Sequence, residues 1–277
     1  MTLRFAFPIL LLAVAARAEP AASSPWDGGL SLDYNAASSA LAALHAADPA
    51  DARVALAHAG TLLARQPRTA ANVARARALL AWLLSASPTA PALAPEHRAL
   101  ARYLIARIDH DHLSPPDLDS ARAGYTRLRA EHPDHPLSDH AAVQLALLDL
   151  ASTPALAPAT RAERLAALIE TTHLPSARRE LLQLVARIHW EEFDAPADAL
   201  PPLLEARRIG FDSPARNGEI DLLIADLAAR AGQGELASRH YLAFARAYPR
   251  DLRASTARRL AGEAFASASS PDTSPAP

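Results

Sequence analysis

Residues 232–249 read GQGELASRHYLAFARAYP, and the way their two glycines are read decides the fold. Gly232 and Gly234, followed by Glu235, Leu236 and Ala237, match a loose form of a dinucleotide-binding loop. Such a loop has to leave a β-strand and open a helix, so that backbone N–H groups converge on a pyrophosphate. The preceding segment, EIDLLIADLAARA (219–231), carries Leu223, Leu227 and Ala231 at four-residue steps with Ile220 and Ile224 alongside, which is helical spacing. No strand is available to launch a phosphate loop, so the nucleotide reading fails its own context. The glycines are expected instead to join two helices. Gly232 supplies the left-handed turn that a helix C-terminus asks for, and Gly234 starts the next helix.

The same phrase recurs along the chain. SARAGYTRLRAEHPDHP (120–136) and LASRHYLAFARAYPRDL (236–252) share an Ala, a Tyr four residues on and a Pro eight further: Ala121, Tyr125, Pro133 and Ala237, Tyr241, Pro249. Leu replaces Tyr in Ala37, Leu41, Pro49 and in Ala76, Leu80, Pro88, and weaker copies surround Ala162 and Ala199. The anchoring alanines stand 39, 45, 41, 37 and 38 residues apart. A step of about forty residues holding two helices marks an α-solenoid. A small residue suits the point where two helices cross most closely, and the Tyr or Leu one turn later fills the space beside it. The Pro stops the helix, since it lacks the N–H and clashes with the preceding turn.

Composition agrees with helices. About a quarter of the 277 residues are Ala, only 5% are aromatic, and there is no Cys. All 28 basic side chains counted as Lys or Arg are Arg, and the net charge of −2 gives no global electrostatic case for nucleic acid or an anionic membrane. The N-terminus, MTLRFAFPILLLAVAARA (1–18), has one early positive charge, an apolar stretch too short to span a bilayer comfortably, and an Ala16-Arg17-Ala18 ending. That is the pattern of a secretory signal peptide, so cleavage near Ala18 and a periplasmic or secreted location are expected, with no membrane insertion after cleavage. Cleavage would remove Arg4 and Arg17 and take the net charge from −2 to −4. No Cys follows the cleavage site to carry a lipid, and without disulfides the fold must be held by packing.

Gly232, Ala237, Tyr241 and Pro249 resemble the second half of a tetratricopeptide repeat, and Ala121, Tyr125 and Pro133 match it similarly. The likeness extends loosely over residues 31 to about 265, with a step longer than the usual thirty-four and without Trp and Gly in most first helices. YLAFARAYPRD (241–251) is also similar to bacterial envelope proteins that carry such repeats. The resemblance implies an all-α fold, a right-handed α-solenoid of antiparallel helix pairs (a TPR-like superhelix). The expected organisation is a signal peptide (1–18), a linker (19–30), the repeat domain (31–267) and a disordered tail (268–277). Helices are expected at 32–47, 51–66, 69–86, 95–110, 117–131, 137–151, 159–171, 176–192, 197–209, 214–231, 234–248 and 251–267.

No catalytic constellation stands out. His110, Asp111, His112, Asp117, Asp119, His132, Asp134, His135, Asp139 and His140 are the densest polar cluster, of the residue types that bind transition metals. They gather at helix ends beside Pro115, Pro116 and Pro133 and contain no His-x3-His pair, so they read as solvated loops. HWEEF (189–193) lacks the second helical His of a metalloprotease. Ser138, Asp139 and His140 are adjacent and diverge on a helix, which rules out a triad among themselves. Ala-rich superhelices also form the non-catalytic part of lytic transglycosylases, but a catalytic domain would need sequence beyond the repeats.

The expected function is therefore non-enzymatic, with no cofactor and no metal: a periplasmic scaffold holding protein or peptide partners in its concave groove, in the setting of cell-envelope assembly. The alternative is a metal-dependent or cell-wall-acting protein using the 110–140 region. First helices of each pair line such a groove. Gln183, Arg187 and Trp190 share one face opposite Leu181, Val185 and Ile188. Arg98 and Arg102 lie on one polar stripe, and Asp226 and Arg230 stand one turn apart. An Arg-plus-Trp surface suits peptide carboxylates and apolar anchors.

Overall fold

The computed structural model describes residues 33–85, 91–151 and 156–269. The expected signal peptide 1–18, the linker 19–30, Pro88 and residues 270–277 of the expected tail lie outside them. The described residues form twelve α-helices and no strand. They are α1 (Tyr34–Ala47), α2 (Ala52–Ala64), α3 (Ala70–Leu83), α4 (Pro95–Arg107), α5 (Leu118–Glu131), α6 (Pro136–Leu150), α7 (Pro158–Glu170), α8 (Pro175–Glu191), α9 (Pro196–Ile209), α10 (Pro214–Arg230), α11 (Gly234–Ala247) and α12 (Ala254–Ser269). These bounds fall within about three residues of the expected ones. Only α4 departs in kind: beyond Arg107 it widens into a π turn, Ile108–His112.

The starts of the helices are written in the sequence. Asp33, Asp51, Thr69 and Asp117 each accept a backbone N–H of the turn they precede, a cap worth about 1 kcal/mol. Pro95, Pro158, Pro175, Pro196 and Pro214 open α4, α7, α8, α9 and α10, where the missing N–H costs nothing.

The recurring proline marks one local structure made three times. Asp48, His132 and Tyr248 close α1, α5 and α11 with φ of −134°, −136° and −125°, outside the helical region that a following Pro disfavours. Each donates its N–H to the carbonyl four residues back, at 2.9 Å. After Pro49, Pro133 and Pro249 the chain turns, and Asp51, His135 and Asp251 donate to the carbonyls of Asp48, His132 and Tyr248 at 3.3, 3.1 and 3.0 Å. Their side chains then accept from Arg53, Leu137 and Arg253 backbone N–H groups at the start of the next segment. Stop, turn and cap thus occupy four consecutive residues.

Upstream of the proline the anchor positions pack as expected. Ala37, Ala76, Ala121, Ala199 and Ala237 are buried, and so are Leu41, Leu80, Tyr125, Leu203 and Tyr241 four residues on. The copy around Ala162 differs. Ala162 is half-buried and Ala166 exposed, while Leu165 and Ile169 are buried. The register there lies one residue earlier, which puts Arg161 where the small residue was expected. Arg161 is ion-paired to Glu192.

Gly232 has φ +73°. Its N–H donates to Ala229 at 3.1 Å and that of Gln233 to Ala228 at 2.8 Å, the paired bonds of a Schellman ending to α10. The opening glycine pair therefore joins two helices.

The chain divides into two compact units, Met1–Ala141 and Ala142–Pro277. Within the first, α1 packs on α2, α2 on α3, α3 on α4 and α4 on α5, and α2 also touches α4. Its core includes Ala55, Leu62, Ala76, Leu80, Ala101 and Ile108. Within the second, each helix from α7 to α12 packs on the next. Leu165, Leu181 and Ile188 belong to one cluster there, and Leu203, Ile224, Tyr241 and Phe244 to another. Packing of sequence neighbours stabilises helices of 13 to 17 residues, which alone would be marginal in water.

Candidate partner surface

The residues expected to line a groove fall in both units. In the first, Arg98 is exposed and makes no ion pair among the described residues. Arg102 is half-buried, and its Nε lies 2.5 Å from the Glu131 carboxylate, which also takes Arg127 at 2.7 Å. Arg102 therefore ties α4 to the end of α5.

In the second unit, Leu181 and Ile188 are buried and Val185 half-buried, as the face assignment on α8 requires. Gln183 donates to the carbonyl of Arg179 one turn back, at 3.3 Å. Arg187 lies 3.8 Å from Glu191. Trp190 is half-buried and packs against the cluster that holds Ile224 and Tyr241, so much of its indole is core.

Asp226 and Arg230 do not pair with each other. Asp226 accepts the hydroxyl of Tyr241 from α11; burial first, and then that hydrogen bond and the charge of Asp226, push the phenol's pKa above its ordinary value. Arg230 reaches Asp194 at 2.8 Å. Asp194 holds φ +49° just past the end of α8. This contact joins the end of α10 to the end of α8.

The same end carries a residue that the sequence reading passed over. Phe193 is 43% exposed, with its ring 5.8 Å from that of His189. Around it Glu191 is taken by Arg187, Glu192 by Arg161 and Asp194 by Arg230. The carboxylates and guanidiniums at this helix end are thus matched within the chain, and an apolar ring stands among them.

The 110–140 region is used piece by piece. Asp109 is buried and ion-paired to Arg77, and Asp111 holds Arg107 at 2.5 Å. The His110 ring meets Tyr125 edge-on at 6.1 Å. Asp117 caps α5, accepting from Ser120 at 3.0 Å. His132 accepts the Ser138 hydroxyl through its backbone carbonyl, and His135 accepts Leu137 N–H at its Nδ1. Burial, with the charges of Arg68 and Arg107, pulls His112 down to about 4, and burial lowers His135 and His140. Among the described residues no three His, Asp or Glu side chains are grouped to hold a metal ion.

Three other side chains form a connected polar network. Asp221 of α10 is 3% exposed. It accepts two bonds from Arg207 of α9, at 2.8 and 3.0 Å, and faces His240 Nδ1 of α11 at 3.1 Å. Burial alone would raise the Asp221 carboxyl, but the hydrogen bonds and charges of His240 and Arg207 outweigh it and hold it low.

Among the described residues no helix is long and apolar enough to cross a membrane. No protein-family model matches the chain, and the search of curated proteins found no significant match.

Proposed function

We propose that this chain is a non-enzymatic, exported TPR-like scaffold, a right-handed solenoid of antiparallel helix pairs, which binds a protein or peptide partner. Two features support the repeat reading: the buried small-residue anchors and the proline stop-turn-cap made three times. The signal-like residues 1–18 support export to a periplasm.

The observation that carries the binding reading is Phe193, exposed beside His189 just past the end of α8. Exposed aromatic anchors ringed by polar groups mark partner sites. Arg187 and Arg230 already have carboxylate partners, so a peptide carboxylate would have to compete with them. Exposed pairs of this kind are worth about 0–1 kcal/mol, so the competition is mild. The anchor is the apolar side chain of the partner, and the arginines set its rim.

Site-specific photocrosslinking in the native envelope tests this. A photoreactive residue at Phe193 should give a discrete adduct, and one at Arg258 on α12 should not. Trp190→Ala in the same chain should weaken the Phe193 adduct. Equal adducts from both positions, insensitive to Trp190→Ala, would contradict the assignment.

A further inference from the structure

The first unit holds a polar cluster that neither its packing nor the proposed partner surface uses. His58 sits in the middle of α2 and is 1% exposed, and its Nδ1 has no hydrogen-bond partner. The ring of His45, from α1, lies 6.4 Å from it and meets Trp82 of α3 edge-on at 5.8 Å. The Nδ1 of His45 is also buried without a partner. Buried polar nitrogens are almost always satisfied, so two in one cluster call for a physical account.

The charges that reach His58 are of one sign. Arg75 of α3, Arg65 at the end of α2 and His45 are the groups whose charge reaches His58, and all three oppose its protonation. Arg75 shares a face of α3 with Trp82, two turns away, and makes no ion pair or hydrogen bond among the described residues. Arg65 is held through its Nε by Asn35 Oδ1 at 2.9 Å, a neutral group. Imidazole N–H groups and guanidinium forks with no carboxylate partner among them suit an anion and repel a cation.

We propose that His45, His58, Arg65 and Arg75 form a binding site for a small oxyanion, a phosphate or a carboxylate, between α1, α2 and α3. Asn35 orients Arg65 and Trp82 orients His45. Arg75 supplies the exposed fork that meets the anion first, and His58 the buried donor behind it.

The test is the thermal midpoint of the full chain at pH 7 in sodium phosphate, sodium acetate and sodium chloride at matched ionic strength. An anion that binds the folded state raises the midpoint with the logarithm of its concentration. The expected result is a rise above chloride in phosphate or acetate, and the anion that gives it identifies the source. Titration calorimetry with the same anion should show binding weakened by roughly tenfold or more in Arg75→Gln, and likewise in His58→Gln. Arg246→Gln, an exposed change in the second unit, should behave as the parent. Arg75 is exposed, so its variant keeps the test decisive if His58→Gln fails to fold. No rise beyond chloride, or a rise that survives Arg75→Gln undiminished, would overturn the site.

Discussion

A β-carbon placed on Gly234 would lie 2.2 Å from the carbonyl oxygen of Ala264, so α11 and α12 meet there backbone to backbone. Gly232, two residues earlier, has open space where a β-carbon would sit, and its demand is its positive φ. The two glycines therefore answer to different physics. Gly232→Ala should cost about 1 kcal/mol through strained backbone alone. Gly234→Ala forces the helices apart and should cost more, roughly 1–3 kcal/mol or above. Urea midpoints of the two variants check the order, and equal losses would argue against the close crossing.

Asp221 should make the second unit acid-sensitive. Its folded pKa lies below the unfolded value of 3.8, so its contribution is fully present above that value and is lost as pH falls through the folded one. Asp221→Asn should cost roughly 1–3 kcal/mol at pH 7 by removing the charge that satisfies Arg207 and His240. The variant's stability should also change less than the parent's below about pH 4. An unchanged urea midpoint at pH 7 would contradict the network.

The first unit should respond at higher pH. Burial, with the charges of Arg75, His45 and Arg65, holds His58 at about 4, against 6.5 for a free imidazole. The unfolded chain takes up that proton first. Stability is therefore complete above the unfolded value and falls as pH drops from 6.5 towards the folded value of about 4. His112, also held at about 4, adds to the same window. In chloride, His58→Gln should flatten the decline in the urea midpoint over this range. A parent midpoint that stays constant between these limits would show that the imidazoles are not held neutral.

Much of the helix layout was legible because punctuation is local. Gly232, the N1 prolines and the acidic caps act on the turn beside them, and buried alanines at regular steps announce close crossings. The copy at Ala162 was misplaced by one residue because Arg161 occupies the anchor, and composition does not reveal an arginine in that place. The polar contacts were less legible for a related reason. Spacing within one helix suggests pairs one turn apart, as for Asp226 and Arg230. Their partners, Tyr241 and Asp194, come from other segments 15 and 36 residues away. His45, His58 and Trp82 stand on three different helices, so no motif unites them in the sequence.

The proposed repeat array is tested most directly by hydrogen exchange on Ala237→Leu. Ala237 is fully buried in a cluster drawn from α8 to α12, and a leucine there should overpack it by roughly 1–3 kcal/mol. In an array stabilised by nearest neighbours the damage stays local. Protection should be lost across 214–269 while 70–131 exchanges as in the parent. A uniform loss across all twelve helices would contradict the repeat account and mark a single cooperative helical domain.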